Sequence, residues 1–118
     1  MGPTFTLKAL DLDAAALTAQ LCDTIVRQVR QELKRDGAVV GISGGIDSSV
    51  VLALCAKALG PQKVLGVMLP ERDSSPASKT LATELAAHFG VSAVEENISP
   101  TLEGLGCYRR RDEAVRRV

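Results

Sequence analysis

Leu17, Leu21, Ile25, Val29 and Leu33 recur at four-residue steps, so they line one face of a long helix. Asp11 or Asp13 is placed to cap its start, and Asp36-Gly37 stops it after about residue 35. Residues 1–12 show no clear period. The short apolar run at 38–42, bounded by turn residues, predicts a buried strand. Ser43-Gly44-Gly45 breaks it, and residues 48–59 form a second helix ended by Gly60-Pro61. A second strand spans 63–69, followed by a loop at 70–75. Ser75 then caps, and Pro76 opens, a third helix with Ala77, Leu81, Leu85 and Phe89 on its apolar face. Gly90 ends that helix. A third strand covers 91–94, extendable to Ile98. Ser99-Pro100 signals another helix start, weakened by Gly104 and Gly106, and residues 113–118 have helical character.

Strands alternating with helices imply an α/β fold, a three-layer α/β/α parallel sheet of Rossmann-like type with about three strands and right-handed crossovers. At 118 residues the chain forms one domain. Apolar residues are 46% and charged residues 24%, which excludes intrinsic disorder. Lys plus Arg and Asp plus Glu are 14 each, a zero balance that argues against a general nucleic-acid or membrane-surface binder. Phe5, Phe89 and Tyr108 are the only aromatics, too few for a base-stacking surface. No apolar stretch approaches the roughly 20 residues of a membrane span, and no secretory signal opens the chain. Cys22, Cys55 and Cys107 are widely spaced and odd in number, so they read as reduced thiols of a cytoplasmic protein, Cys22 and Cys55 on helix faces.

The chemistry gathers at the first strand-to-helix turn, Ser43-Gly44-Gly45-Ile46-Asp47-Ser48-Ser49. Ligands of parallel α/β sheets bind beyond the carboxyl ends of the strands. Two glycines let the backbone approach an anion, the free N–H groups at the helix start point at it, and three hydroxyls add donors. No lysine follows the second glycine, so this is not a Walker loop, and G-x-G-x-x-G is absent. Gly41 to Gly45 also fits G-x-S-x-G, which would make Ser43 a hydrolase nucleophile. That reading needs a base, and the sole histidine, His88, falls near the end of the third helix.

The string from Ser43 to Ser49 resembles the SGGxDS pyrophosphate loop of the N-type ATP pyrophosphatases. Leu69-Pro70-Glu71-Arg72-Asp73-Ser74-Ser75 is similar to the P-x-R-x-S-S stretch after strand two of NAD synthetases. The tail from Arg111 to Val118 is similar to their K-A-R-x-R-M helix, with Glu113, Val115 and Val118 at three of its positions. Together these cover the chain from about Asp13 onward.

The resemblance implies an ATP-dependent amide-forming ligase. ATP adenylylates the carboxylate of deamido-NAD, pyrophosphate leaves, and ammonia displaces AMP to give NAD. It implies that Ser43, Gly44, Gly45, Ile46, Asp47, Ser48 and Ser49 bind ATP, with Arg72 and Ser75 nearby. Asp47 would hold Mg2+, Asp47 and Ser48 would be catalytic, and Arg117 would contact the dinucleotide. Alternatives are an ATP- or pyrophosphate-binding module without turnover, and a GMP synthetase-like or sugar amidotransferase-like relative. The family's enzymes are at least about twice this length, so the chain is expected to be an N-terminal or shortened form. Their sheet places strand one internally; here it would be left as an edge, predicting a homodimer or other self-association.

Overall fold

The computed structural model describes Gly2 and residues 5–118. A short 3-10 turn, Leu7–Leu10, precedes the first long helix. The Asp13 carboxylate accepts from the Ala16 N–H at 3.0 Å, pairing a donor that the first helical turn leaves free. Helix α1 spans Ala14–Val26 and widens into a π-helical stretch, Arg27–Glu32. The helix therefore stops short of residue 35. Lys34, at φ 53, turns the backbone out of helical geometry, and Leu33 is left exposed.

Three parallel strands follow the expected positions within a residue: β1 Ala38–Gly41, β2 Val64–Met68 and β3 Ser92–Glu95. The order is β1-β2-β3, with Val40 opposite Gly66 and Gly66 opposite Ala93. The first strand is an edge, as expected. Helix α2, Ile46–Leu59, begins two residues earlier than the pattern suggested, because Gly45 in an extended conformation takes the N-cap position. Helix α3, Pro76–His88, is capped by Ser75, whose hydroxyl accepts from the Ala77 N–H at 3.2 Å.

The core joins Val40, Ile42, Val64 and Met68 of the sheet to Leu52, Cys55, Ala56 and Leu59 of α2 and to Ala82 and Ala86 of α3. Those sheet side chains alternate onto one face. Two right-handed crossovers stepping the same way across the sheet put both helices on that face. The opposite face presents Val39, 72% exposed on the edge strand, and the half-exposed Val94. The apolar face expected for α3 is displaced: Leu81 is 53% exposed and Ala77 exposed, while Ala82 and Ala86 are buried. Small side chains there let the helix approach the sheet, and only Leu85 and Phe89 of the expected stripe pack against the core.

The C-terminal region also departs from the pattern. Helix α4 spans Ser99–Gly104, and α5 spans Cys107–Val115 rather than 113–118. Gly106, at φ 71, turns the chain between them, and Tyr108 anchors the early start of α5 by being buried. All three cysteines are free; Cys22 lies on α1 with its sulfur 3.9 Å from the Leu54 carbonyl of α2. Burial, with Cys22 alongside, pushes the Cys55 thiol up from its ordinary range. Among the described residues no helix is long and apolar enough to cross a membrane.

Candidate functional site at the end of the first strand

The loop from residue 43 to 49 is held by its own hydroxyls. Ser43 Oγ and Ser48 Oγ are 3.1 Å apart, and Ser48 Oγ accepts from the Ser43 N–H at 3.2 Å. Ser43 Oγ also accepts from the Gly45 N–H at 3.2 Å. Ser48 and Ser49 both donate to the Gly45 carbonyl, at 3.2 and 2.6 Å. Gly44 has φ 79, and a Cβ added there would lie 2.7 Å from the Ser78 carbonyl oxygen of α3. Only glycine combines that dihedral with that proximity.

Gly45 carries no side chain to cap α2, and no side chain bonds its first turn. Of the donors that open this 14-residue helix, the Gly45 N–H is taken by Ser43 Oγ, and no side chain caps those that follow, where the helix dipole favours an anion. Ile46 and Asp47 sit in that first turn, both exposed.

A cavity of about 410 Å³ opens beside the loop. Its lining includes Ile42, Val67, Met68 and Ala82 and, among polar residues, Ser43, Ser74, Ser75, Ser78 and Lys79. Lys79 Nζ is 2.7 Å from Glu95 Oε2 on β3. Of the residues singled out from sequence, Ser43 and Ser75 line this cavity. Gly44, Gly45, Ile46, Asp47, Ser48, Ser49, Arg72 and Arg117 do not.

The Arg72 guanidinium instead lies 3.8 Å over the Tyr108 ring, 3.7 Å from Asp73 Oδ1 and 3.9 Å from Glu103 Oε2. Arg117 follows the end of α5, its N–H donating to the Ala114 carbonyl. The hydrolase alternative finds no base: the partners of Ser43 Oγ are Ser48 and the Gly45 N–H, whereas His88 stacks edge-on against Phe89 at the end of α3. Among the described residues no group of three or more His, Cys, Asp or Glu side chains could hold a metal by itself.

Sequence reasoning missed Lys79, Ser74 and Ser78 in the cavity, and the role of Tyr108 beneath the 70–75 loop. Lys79 could have been found from its position one turn into a helix whose start faces the strand ends. The loop's charges are also rearranged. Arg111 bonds both Asp73 and Asp112, which raises its guanidinium further above its ordinary value. The Arg111 hydrogen bond, followed by the charges of Arg111 and Arg72, holds the Asp73 carboxyl below the usual carboxylate range.

A parallel Rossmann-like sheet with a Gly/Ser loop between its first strand and helix defines the class. Within that class, the family model described as NAD synthase matches residues 17–114, and the chain belongs to that family. An NH(3)-dependent NAD(+) synthetase of Mesorhizobium japonicum is 50% identical over 109 residues, covering 92% of this chain and 34% of its own length. The NH3-dependent NAD synthetase of Campylobacter jejuni, solved with a nitrate ion, superposes with a TM-score of 0.73 at 31% identity. That match covers 80% of this chain and 40% of the other. The glutamine-dependent NAD+ synthetase of Acinetobacter baumannii, solved with adenosine diphosphate, gives 0.65 at 26% identity over 92% of this chain and 19% of its own. The chain spans about a third of the length of the curated relatives it matches.

Proposed function

We propose that the chain supplies the ATP-phosphate site of an ammonia-dependent amide-forming ligase of NAD synthetase type. The observation that carries this is the 43–49 loop: paired Ser43 and Ser48 hydroxyls, and an α2 start without a side-chain cap, beside a cavity at the ends of β1 and β2. The names of the relatives and the ADP bound by one of them support it. In the reaction, a carboxylate oxygen of deamido-NAD attacks the α-phosphorus of ATP, and the bond to the β-phosphate oxygen breaks. The departing pyrophosphate gathers negative charge. Backbone N–H groups at the start of α2 are the donors this chain offers to that charge, and the hydroxyls of Ser43, Ser48 and Ser49 would join them only on giving up their bonds within the loop. Ammonia then attacks the acyl carbon and AMP leaves.

Mg2+ is commonly held by one or two carboxylates together with substrate phosphates, without a full protein cage. Asp47 in the first turn of α2 meets that need, and the bound ion would neutralise charge on the leaving pyrophosphate. Ser75 is available to the nucleotide in the cavity, while Arg72 must leave the Tyr108 ring to reach it. Arg117 is assigned to the dinucleotide by the tail pattern alone. The apolar, unpaired edge of β1 is the surface for self-association.

A pyrophosphate-release assay with ATP, Mg2+, deamido-NAD and ammonia tests the reading. Turnover that disappears in Asp47→Ala is the expected result. The span of about a third of the relatives favours a second reading, a module that binds ATP without turnover. Calorimetric ATP binding with no pyrophosphate release selects it, and absence of both defeats the nucleotide assignment.

A further inference from the structure

Tyr108 is the chain's only tyrosine, and it is 6% exposed although three arginines follow it directly. Its hydroxyl accepts from the Arg72 N–H at 3.3 Å and donates to Glu71 Oε2 at 2.7 Å. The other oxygen of that carboxylate accepts from the Asp73 N–H at 2.9 Å. The Glu71 N–H donates to Ser74 Oγ at 2.9 Å, and the Ser74 N–H returns to the Glu71 carbonyl at 2.9 Å. A continuous chain of bonds thus runs from α5 to Ser74, which lines the cavity next to Ser75. An anchor needed only for packing would require the ring alone. The hydroxyl adds a short bond to the Glu71 carboxylate, and its loss would leave the Arg72 N–H and one Glu71 oxygen without this partner.

We propose that Tyr108 is a positioning residue for the nucleotide cavity: acting through Glu71, it holds the 70–75 loop so that Ser74 and Ser75 face the cavity. The inference rests on the proposed function for what the cavity takes, and on geometry alone for the link from α5 to the loop.

Tyr108→Phe in the full chain keeps the ring and the Arg111–Asp73 pair and removes the hydroxyl's bonds to Glu71 and the Arg72 N–H. Amide exchange at Arg72 and Asp73 should accelerate about tenfold or more while the strands keep their protection. ATP affinity, measured by calorimetry, should fall about tenfold. Glu71→Gln should act in the same direction, and the double variant should be little worse than the worse single one, as expected for two members of one chain of bonds. Wild-type ATP affinity in Tyr108→Phe overturns the proposal, whatever happens to exchange. So does a uniform loss of protection across the sheet, which marks a purely structural role. If the wild-type chain binds no ATP while Tyr108→Phe still frees the Arg72 amide, the link from α5 to the loop is upheld and the nucleotide reading fails.

Discussion

The two loops that border the cavity are anchored differently. The 43–49 loop makes its side-chain hydrogen bonds internally, between residues two to five positions apart. The 70–75 loop has short-range bonds too, from the Glu71 N–H to Ser74 Oγ and from the Asp73 N–H to Glu71 Oε1, but it is also tied to residues 36 to 38 positions away, through Tyr108 and Arg111. A local network forms at little cost in chain entropy once the strand and helix around it exist. A remote one forms only after a long segment has been closed and packed. The first loop can therefore keep its shape through small changes elsewhere, while the second depends on α5. The difference is not complete, because Gly44 lies hard against Ser78 of α3.

That contact gives the largest expected effect. Gly44→Ala adds a Cβ 2.7 Å from the Ser78 carbonyl at a backbone φ of 79. Left-handed strain and overpacking together should cost about 3 kcal/mol in urea unfolding. An unchanged midpoint would mean that the loop slides free of α3, and its independence would then be complete.

The same contrast explains what was legible in the sequence. Ser43-Gly44-Gly45 and the Ser75-Pro76 cap announce themselves because their physics lies within a few residues: glycine for the left-handed turn, hydroxyls for free N–H groups. The order of strands and helices was readable for the same reason. The burial of Ala82 and Ala86 in place of Ala77 and Leu81 was not, since the distance between α3 and the sheet selects small side chains that carry little hydropathy signal. Nor did anything near Tyr108 show that its partners lie across the chain. Arg72 looked like a nucleotide contact from its neighbours in sequence, but its guanidinium rests on a ring supplied by α5.

Two serine substitutions measure the contrast at intermediate size. Ser75→Ala removes the hydroxyl that caps α3 and should cost about 1 kcal/mol. Ser49→Ala removes a bond from a helical hydroxyl back to the Gly45 carbonyl, a kind that adds little to a helix, and should cost less than about 0.5 kcal/mol. Equal losses in thermal unfolding would show that the hydroxyls of the first loop are as structural as the cap of the second.

The smallest effect concerns pH. Asp73 pairs with Arg111 across the base of the 70–75 loop, and its carboxyl is held below the usual range, chiefly by the Arg111 hydrogen bond. A lowered folded-state pKa contributes stability that is present above the unfolded carboxylate value of about 3.9 and fades as the pH falls through the lower folded value. Wild type should therefore be slightly more stable than Asp73→Asn at pH 7. The gap should close on acidification to below the folded value, and added salt should shrink it because the pair is exposed. Paired urea melts from neutral pH downward measure this. A gap that stays constant with pH would mean that the charge of Asp73 does not hold the loop, leaving Tyr108 and Glu71 as its remaining link to α5.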